Sequence, residues 1–397
     1  MTPVTAPGGA IVPYWRLSAF YLFFFAALGA LLPYWGVYLR DLGYSPGEIG
    51  SLMAIIAATK IVAPNIWGWV ADRRGERLPI VRLGSGLAFV LFLGVFFAQG
   101  FWWLAATMAL FSFFWNAALP QFEANTFNWL GAERERYSRI RLWGSVGFIA
   151  TAASIGPLLD RFGETTLPWF VAAVFFGLWI ASLAAPPAPG GRTAHGDHGS
   201  IGEVLRRPHV WSLLLVCFLM QASHGPYYAF FSIHLQDYGY SGFSIGGLWA
   251  LGVIAEIGVF LAMHRLLPRH GTLTLLLASL GLTALRWLLV AGFVDRPSVL
   301  IAAQTLHAAS FGLYHAVAIS LVDRFFTGPH QGRGQAFYSS LSFGAGQAVG
   351  TFVAGLMWTV AGGTITFAGA AAVAAAAFVV AGFGLRGVPD RESARKT

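Results

Sequence analysis

Apolar residues run for about twenty positions at a time, stop at a few charged, glycine or proline positions, and then run again, twelve times along the chain. The runs cover 15–39, 46–70, 80–98, 102–130, 141–159 and 168–185, then 210–235, 244–263, 273–293, 298–322, 336–357 and 364–385. A helix of that length rises about 30 Å, the thickness of a bilayer's hydrocarbon core. Membrane strands would instead show short alternating segments of about ten residues. The pattern therefore predicts an all-α membrane protein with twelve transmembrane helices.

The runs fall into two groups of six, separated by a Pro/Gly-rich polar stretch that begins at Pro186-Pro187-Ala188-Pro189-Gly190-Gly191 and that no membrane helix would include. The expected organisation is an N-terminal six-helix bundle (1–185), a cytoplasmic linker (186–208) and a C-terminal six-helix bundle (209–397). LRDLGYSPGEIGSLMA from Leu39 matches LQDYGYSGFSIGGLWA from Leu235 at nine of sixteen positions. Both copies follow the first span of their half, so the halves read as parallel, pseudo-symmetric repeats related by an axis along the membrane normal. The same offset carries Lys60 onto Glu256, which points both at a common cavity.

Composition changes the picture in two respects. With 56% hydrophobic and 11% charged residues the chain is too apolar for an ordinary soluble domain. Its net charge of +8 is spread over short connecting segments, which argues against nucleic acid and for a topology signal. If the first loop is external, 20 of the 25 Lys and Arg, Arg192, Arg391, Arg395 and Lys396 among them, fall on the cytoplasmic side. Both termini are then cytoplasmic, in a cell (inner) membrane. Residues Met1 to Tyr14 lack the features of a cleaved signal peptide. Cys217 is the only cysteine, so neither an intramolecular disulfide nor a thiolate metal cluster is expected. No cofactor or metal is expected, and the expected state is a monomer in the lipid bilayer.

A charged side chain at mid-membrane costs at least about 2.5–3.5 kcal/mol and so faces protein or a water-filled path. Lys60, Glu123, Glu256 and Arg286 occupy such positions, and His224, His307 and His315 lie in the seventh and tenth spans. Pairing purely for assembly, Lys60 with Glu123 and Glu256 with Arg286, is one reading. A translocation path is the other, because small residues and hydroxyls would hold a static bundle at lower cost. For the histidines a structural role also stands open. His307 is the best placed to handle a proton, together with Glu256.

After the second span comes Gly68-Trp69-Val70-Ala71-Asp72-Arg73-Arg74-Gly75-Glu76-Arg77. It resembles the G-x-x-x-D-R-x-G-R-R loop of the major facilitator superfamily, with Glu76 in place of a basic residue, and implies a cytoplasmic gate built on Gly68, Asp72, Arg73 and Arg77. The counterpart from His264 to Gly271 is degenerate. Glu123, the run Arg139-Ile140-Arg141-Leu142-Trp143-Gly144-Ser145-Val146-Gly147-Phe148, and Gly334-Gln335-Ala336-Phe337-Tyr338-Ser339-Ser340 are similar to the phenylpropionate permease family, and more distantly to lactose permease and the nucleoside proton symporters. That resemblance implies the major facilitator fold and makes Glu123 and Arg141 a substrate-contacting pair. Phe148 stands where the sugar permease stacks a tryptophan, which argues against sugar. Arg286 and His307 match positions of its proton-coupling cluster, but Ser310 replaces the essential carboxylate there, leaving Glu256 as the acid.

The resulting expectation is a proton-coupled permease for a small organic substrate, best an aromatic carboxylate such as 3-phenylpropionate, working by alternating access. Lys60 or Arg141 would meet the carboxylate, and Phe148, Tyr34 and Trp35 would hold the ring. Glu256, His307 and Arg286 would couple protons. Nucleoside or sugar symport and drug efflux are the alternatives within the fold. An enzyme or a channel is disfavoured, because the chain has no HExxH, no GxSxG at a strand-to-helix turn, and because charged midplane positions in both repeats fit a carrier.

Overall fold

The computed structural model describes residues 11–97, 99–131, 133–188 and 202–388. Arg192, Arg391, Arg395, Lys396 and most of the expected linker (189–201) lie outside the described residues, which contain helices and no β-strand. The helices are α1 (Tyr14–Asp41), α2 (Pro46–Arg74), α3 (Leu78–Phe92, running on as a 3-10 turn over Leu93–Phe97), α4 (Phe101–Leu130), α5 (Tyr137–Phe162), α6 (Leu167–Ala184) and the short α7 (Gly202–Leu205). They continue as α8 (Pro208–Ser223), α9 (Gly225–Asp237), α10 (Gly242–His270), α11 (Thr272–Gly292), α12 (Pro297–Thr305), α13 (Tyr314–Phe325), α14 (Gln331–Ser339) and α15 (Gln347–Gly384). Wide π-helical segments, Ala308–Leu313 and Ser340–Gly346, join α12 to α13 and α14 to α15.

Among the described residues, ten helical stretches are long and apolar enough to cross a membrane, one of them the 54-residue stretch Gln331–Gly384. That stretch is broken at Gly362, whose φ of 74° is not helical, and so supplies two crossings. The seventh predicted span is present as α8 and α9, of 16 and 13 residues, each too short alone. Pro226 explains the break: it lacks an N–H and its ring crowds the carbonyl four residues back, so the helix restarts at Gly225. Twelve crossings result. The fifth begins at Tyr137, a turn before the apolar run at Arg141. Charge ends an apolar pattern without ending a helix: Arg139 sits in the first turn of α5 and Arg141 opens the second, where hydropathy alone would stop.

By Cα proximity the chain forms two compact units. The first comprises 1–42, 59–195 and 241–246; the second comprises 43–58, 196–240 and 247–397. In the first, α1 packs along α5 and α6, and α3 packs along α4 and α6. In a bilayer there is little hydrophobic drive between helices, so close approach depends on small residues. A Cβ on Gly147 would run into the Leu22 carbonyl oxygen, and one on Gly29 would lie 2.6 Å from that of Phe148. Aromatic rings fill the rest: Phe20 stacks on Phe122 at 3.7 Å, and Trp115 packs against Phe24 and Phe175. Arg82 donates to the Ala185 carbonyl at 3.0 Å, satisfying an end of α6 that would otherwise lack a partner. In the second unit α15 packs against α8, α9 and α11. The side chains of Leu213, Met220, Leu276, Leu280, Val317 and Leu321 form part of its core.

The sequence repeat is also a repeat of backbone conformation. Gly43 and Gly239 have φ of 86° and 78°, and Gly75 and Gly271 have 69° and 73°, at the same offset as the matched segments. These are left-handed positions that favour glycine. After each first turn a serine caps the next helix: Ser45 Oγ accepts from Glu48 N–H, and Ser241 Oγ accepts from Ser244 N–H.

Candidate functional site

In the first unit Glu123 on α4 meets α1 and α5. Its Oε1 accepts from the Tyr137 hydroxyl at 2.7 Å and lies 3.9 Å from Arg141 Nε. The first is a short hydrogen bond, and the second an ion pair too long to be one. The Arg141 guanidinium lies on the Phe25 ring at 3.7 Å, with Tyr21 at 5.8 Å. Tyr137 is itself fixed by stacking on Phe127 at 4.5 Å, and Tyr21 by donating to Thr126 Oγ1 at 3.1 Å. Both members of the charged pair keep about a third of their side chain exposed, 33% for Glu123 and 30% for Arg141. The result is an open acid and base beside aromatic faces.

Of the other residues expected here, Phe148 lies two turns along α5 from Arg141, on the same face, and is largely buried. Lys60 is half-buried on α2 and forms no pair with Glu123. Its neighbour Thr59 accepts from Asn116 Nδ2 at 2.9 Å and hydrogen-bonds Ser112 on α4. The aromatic residues are placed differently from the expectation. The Tyr34 hydroxyl donates to the Ala152 carbonyl at 2.6 Å, and Trp35 is wholly buried against Tyr38 and Phe92. They stand 13 and 14 residues beyond Tyr21 on α1, about 20 Å along the axis, and the structure does not bring them to the Glu123–Arg141 pair.

In the α2–α3 loop, Arg77 pairs with Asp72 at 2.9 Å and donates to Gln121 Oε1 at 2.6 Å, tying the loop to α4. Arg73 lies over Trp69 at 3.9 Å. A Cβ on Gly68 would meet only the Gln121 amide, at 3.7 Å.

The second unit holds a separate polar cluster. Arg286 on α11, fully buried, donates to Gln304 Oε1 at 2.7 Å, Ser310 Oγ at 2.8 Å and His307 Nδ1 at 2.9 Å. Its guanidinium also lies 4.4 Å from the rings of Tyr227 and Trp287. An arginine only donates, so His307 Nδ1 accepts and the ring proton sits on Nε2. That nitrogen faces Glu256 Oε2 at 3.7 Å. His307 thus stands between arginine and acid, and the direct Glu256–Arg286 pair is not formed. The imidazoles of His307 and His315 stack on opposite sides of Phe311, with ring centroids 5.6 and 5.9 Å apart and planes within 14°. His224 donates from Nδ1 to the Met220 carbonyl at 2.8 Å, a role that suits a structural histidine.

Tyr137 and Gln304 were not singled out in the sequence, though the signal was present. Each precedes a charged or titratable candidate by one helical turn, Tyr137 before Arg141 and Gln304 before His307. Removing Arg286 would leave Gln304 Oε1 and His307 Nδ1 buried without a donor, at about 1–3 kcal/mol each. Arg286→Ala is therefore expected to lose about 2–5 kcal/mol of stability. A clear fall in the unfolding temperature followed by tryptophan fluorescence checks this, and an unchanged temperature contradicts it.

A family model described as the MFS_1 like family matches residues 14–369. The chain belongs to that family. Among the relatives of this MFS_1-like protein is a probable 3-phenylpropionic acid transporter of Escherichia coli (strain K12), 30% identical over 359 residues, covering 87% of this chain and 90% of that protein. The maltose permease of Geobacillus stearothermophilus is 29% identical over 359 residues, covering 85% and 86%. Among solved structures, the nucleoside transporter NupG superposes with a TM-score of 0.83 at 15% identity, covering 94% of this chain and 99% of that one, which establishes the fold. The chain is a multi-pass secondary transporter of the major facilitator type, and its relatives imply a small-molecule substrate.

Proposed function

We propose that this MFS_1-like protein takes up an aromatic carboxylate, best exemplified by 3-phenylpropionate, with protons, by alternating access of two six-helix halves (1–185 and 209–397) joined by a cytoplasmic linker. The observation that carries the cargo class is the near-full-length similarity to the probable 3-phenylpropionic acid transporter. The Glu123–Arg141 pair is compatible with it, offering a cation for the carboxylate and, in Phe25 and Tyr21, ring faces nearby. In this reading Arg141, rather than Lys60, receives the carboxylate, and Phe148 completes the site. Tyr34 and Trp35 join it only in a conformation that opens their packing.

Proton coupling is assigned to Glu256, His307 and Arg286. With Arg286 donating to Nδ1 and Glu256 facing Nε2, His307 holds the acid in place, and Glu256 is the group that gains and loses the proton. The loop of Gly68, Asp72, Arg73 and Arg77 acts as the cytoplasmic gate, both termini lie in the cytoplasm, and the protein works as a monomer. No bond is made or broken, so the protein is a carrier and not an enzyme.

The test is uptake of radiolabelled 3-phenylpropionate into proteoliposomes with and without an inward proton gradient. Uptake that rises with the gradient and collapses with a protonophore is expected. Gradient-independent uptake would remove the proton coupling and keep the cargo. Absence of uptake by folded protein would remove the cargo class, and labelled nucleosides and sugars would be assayed next.

A further inference from the structure

We propose that Glu123 is a second proton-binding site, filled when a carboxylate ligand docks on Arg141; the inference rests on the carboxylate cargo proposed above. Three features of the site point to it. Arg141 is held loosely: it donates no hydrogen bond to any described residue, its Nε stands 3.9 Å from Glu123 Oε1, and its guanidinium lies on Phe25. A guanidinium on an aromatic face keeps its N–H edges free for an incoming anion. The two oxygens of Glu123 also differ. Oε1 is taken by the Tyr137 hydroxyl, whereas Oε2 accepts from no described residue.

The third feature is the charge balance. Facing Glu123 are Tyr21 from α1, and Tyr137 and Arg141 from α5. On α3, Arg82 is turned to the carbonyls at the end of α6. Lys60, on α2, is not among the charges that act on Glu123, so the full charges facing each other here are one carboxylate and one guanidinium, which sum to zero. An anionic ligand on Arg141 adds a second carboxylate beside Glu123, and two such groups sharing one cation away from bulk water do not both stay ionised. A proton from the bathing solution bound at Glu123 Oε2 restores neutrality.

The geometry accommodates that proton without rearrangement. Tyr137 continues to donate to Oε1, now the carbonyl oxygen of the acid, and the new O–H becomes a donor beside the guanidinium. Glu123 thereby changes from a competitor of the ligand for Arg141 into a second donor toward it. No bond other than O–H forms, and each carboxylate that docks brings one proton. A neutral ligand of the same shape brings none.

The experiment is a titration of purified protein in weakly buffered detergent micelles with a pH indicator, using 3-phenylpropionate and its neutral amide, with binding recorded in parallel. The acid is expected to draw in about one proton per bound molecule, and its affinity to fall as pH rises, by about tenfold per pH unit where Glu123 is otherwise ionised. The amide draws none. In Glu123→Gln, whose side chain stays neutral, the acid binds without proton uptake and with an affinity independent of pH. Binding of the acid to the wild-type protein without a proton, or equal uptake by Glu123→Gln, overturns the inference and leaves the cargo standing. Failure of folded wild-type protein to bind the acid overturns the cargo reading and this inference with it. The wild-type titration decides the matter even if the variant does not fold.

Discussion

Arg141→Ala is expected to abolish saturable uptake of 3-phenylpropionate and to weaken its binding by about 30-fold or more, the equivalent of about 2 kcal/mol for losing the charge-assisted hydrogen bonds to the ligand carboxylate. Among the described residues the guanidinium is the cation paired with Glu123, and none takes its hydrogen bonds, so its loss leaves an incoming carboxylate facing Glu123 without it. Arg141→Lys restores charge but not the flat face on Phe25 or the paired donors, and recovers only part of the affinity. Equilibrium binding to detergent-purified protein checks both variants, with size-exclusion profiles confirming that they fold. An unchanged dissociation constant for Arg141→Ala would remove the carboxylate from this site.

The second large effect is on folding. Gly147→Val places branched carbons where α1 and α5 touch through their backbones, against the Leu22 carbonyl, and Gly29, two turns on along α1, lies close against the Phe148 carbonyl in the same seam. Neither contact ends in a flexible side chain, so relief requires the helices to separate. The expected cost is at least about 3 kcal/mol, seen as loss of the monodisperse peak in fluorescence-detected size exclusion. Gly247→Ala, at a glycine with open space around its Cβ position, serves as the control and leaves that peak unchanged. A Gly147→Val protein as stable as the wild type would show that the two helices do not rely on this contact.

Twelve crossings and two related halves were legible because hydrophobic length and a repeated LxDxGYS segment are properties of the chain itself. The same repeat carries the paired glycine turns at Gly43 and Gly239. The choice of partners was not legible. Intramembrane charges can be paired on paper in several ways, and Lys60 with Glu123 or Glu256 with Arg286 balance as well as the arrangement found. What decided it was helix rotation, which set Tyr137 and Arg141 on either side of Glu123 and put His307 between Arg286 and Glu256. Rotation also explains Tyr34 and Trp35. An aromatic residue in a span looks the same in the sequence whether its ring lines a cavity or fills the space behind it, and these two fill.

The π-helical turn at Ala308–Leu313 gives the second unit a column of rings. His307, Phe311 and His315 lie one above the other, Tyr227 flanks the column at one end, and the Tyr338 hydroxyl meets His315 Nδ1 at 2.8 Å at the other. Near-parallel rings this close limit one another's rotamers, so the orientation of His307 is tied by packing to that of Phe311 and His315, and His315 in turn is held by a hydroxyl of α14.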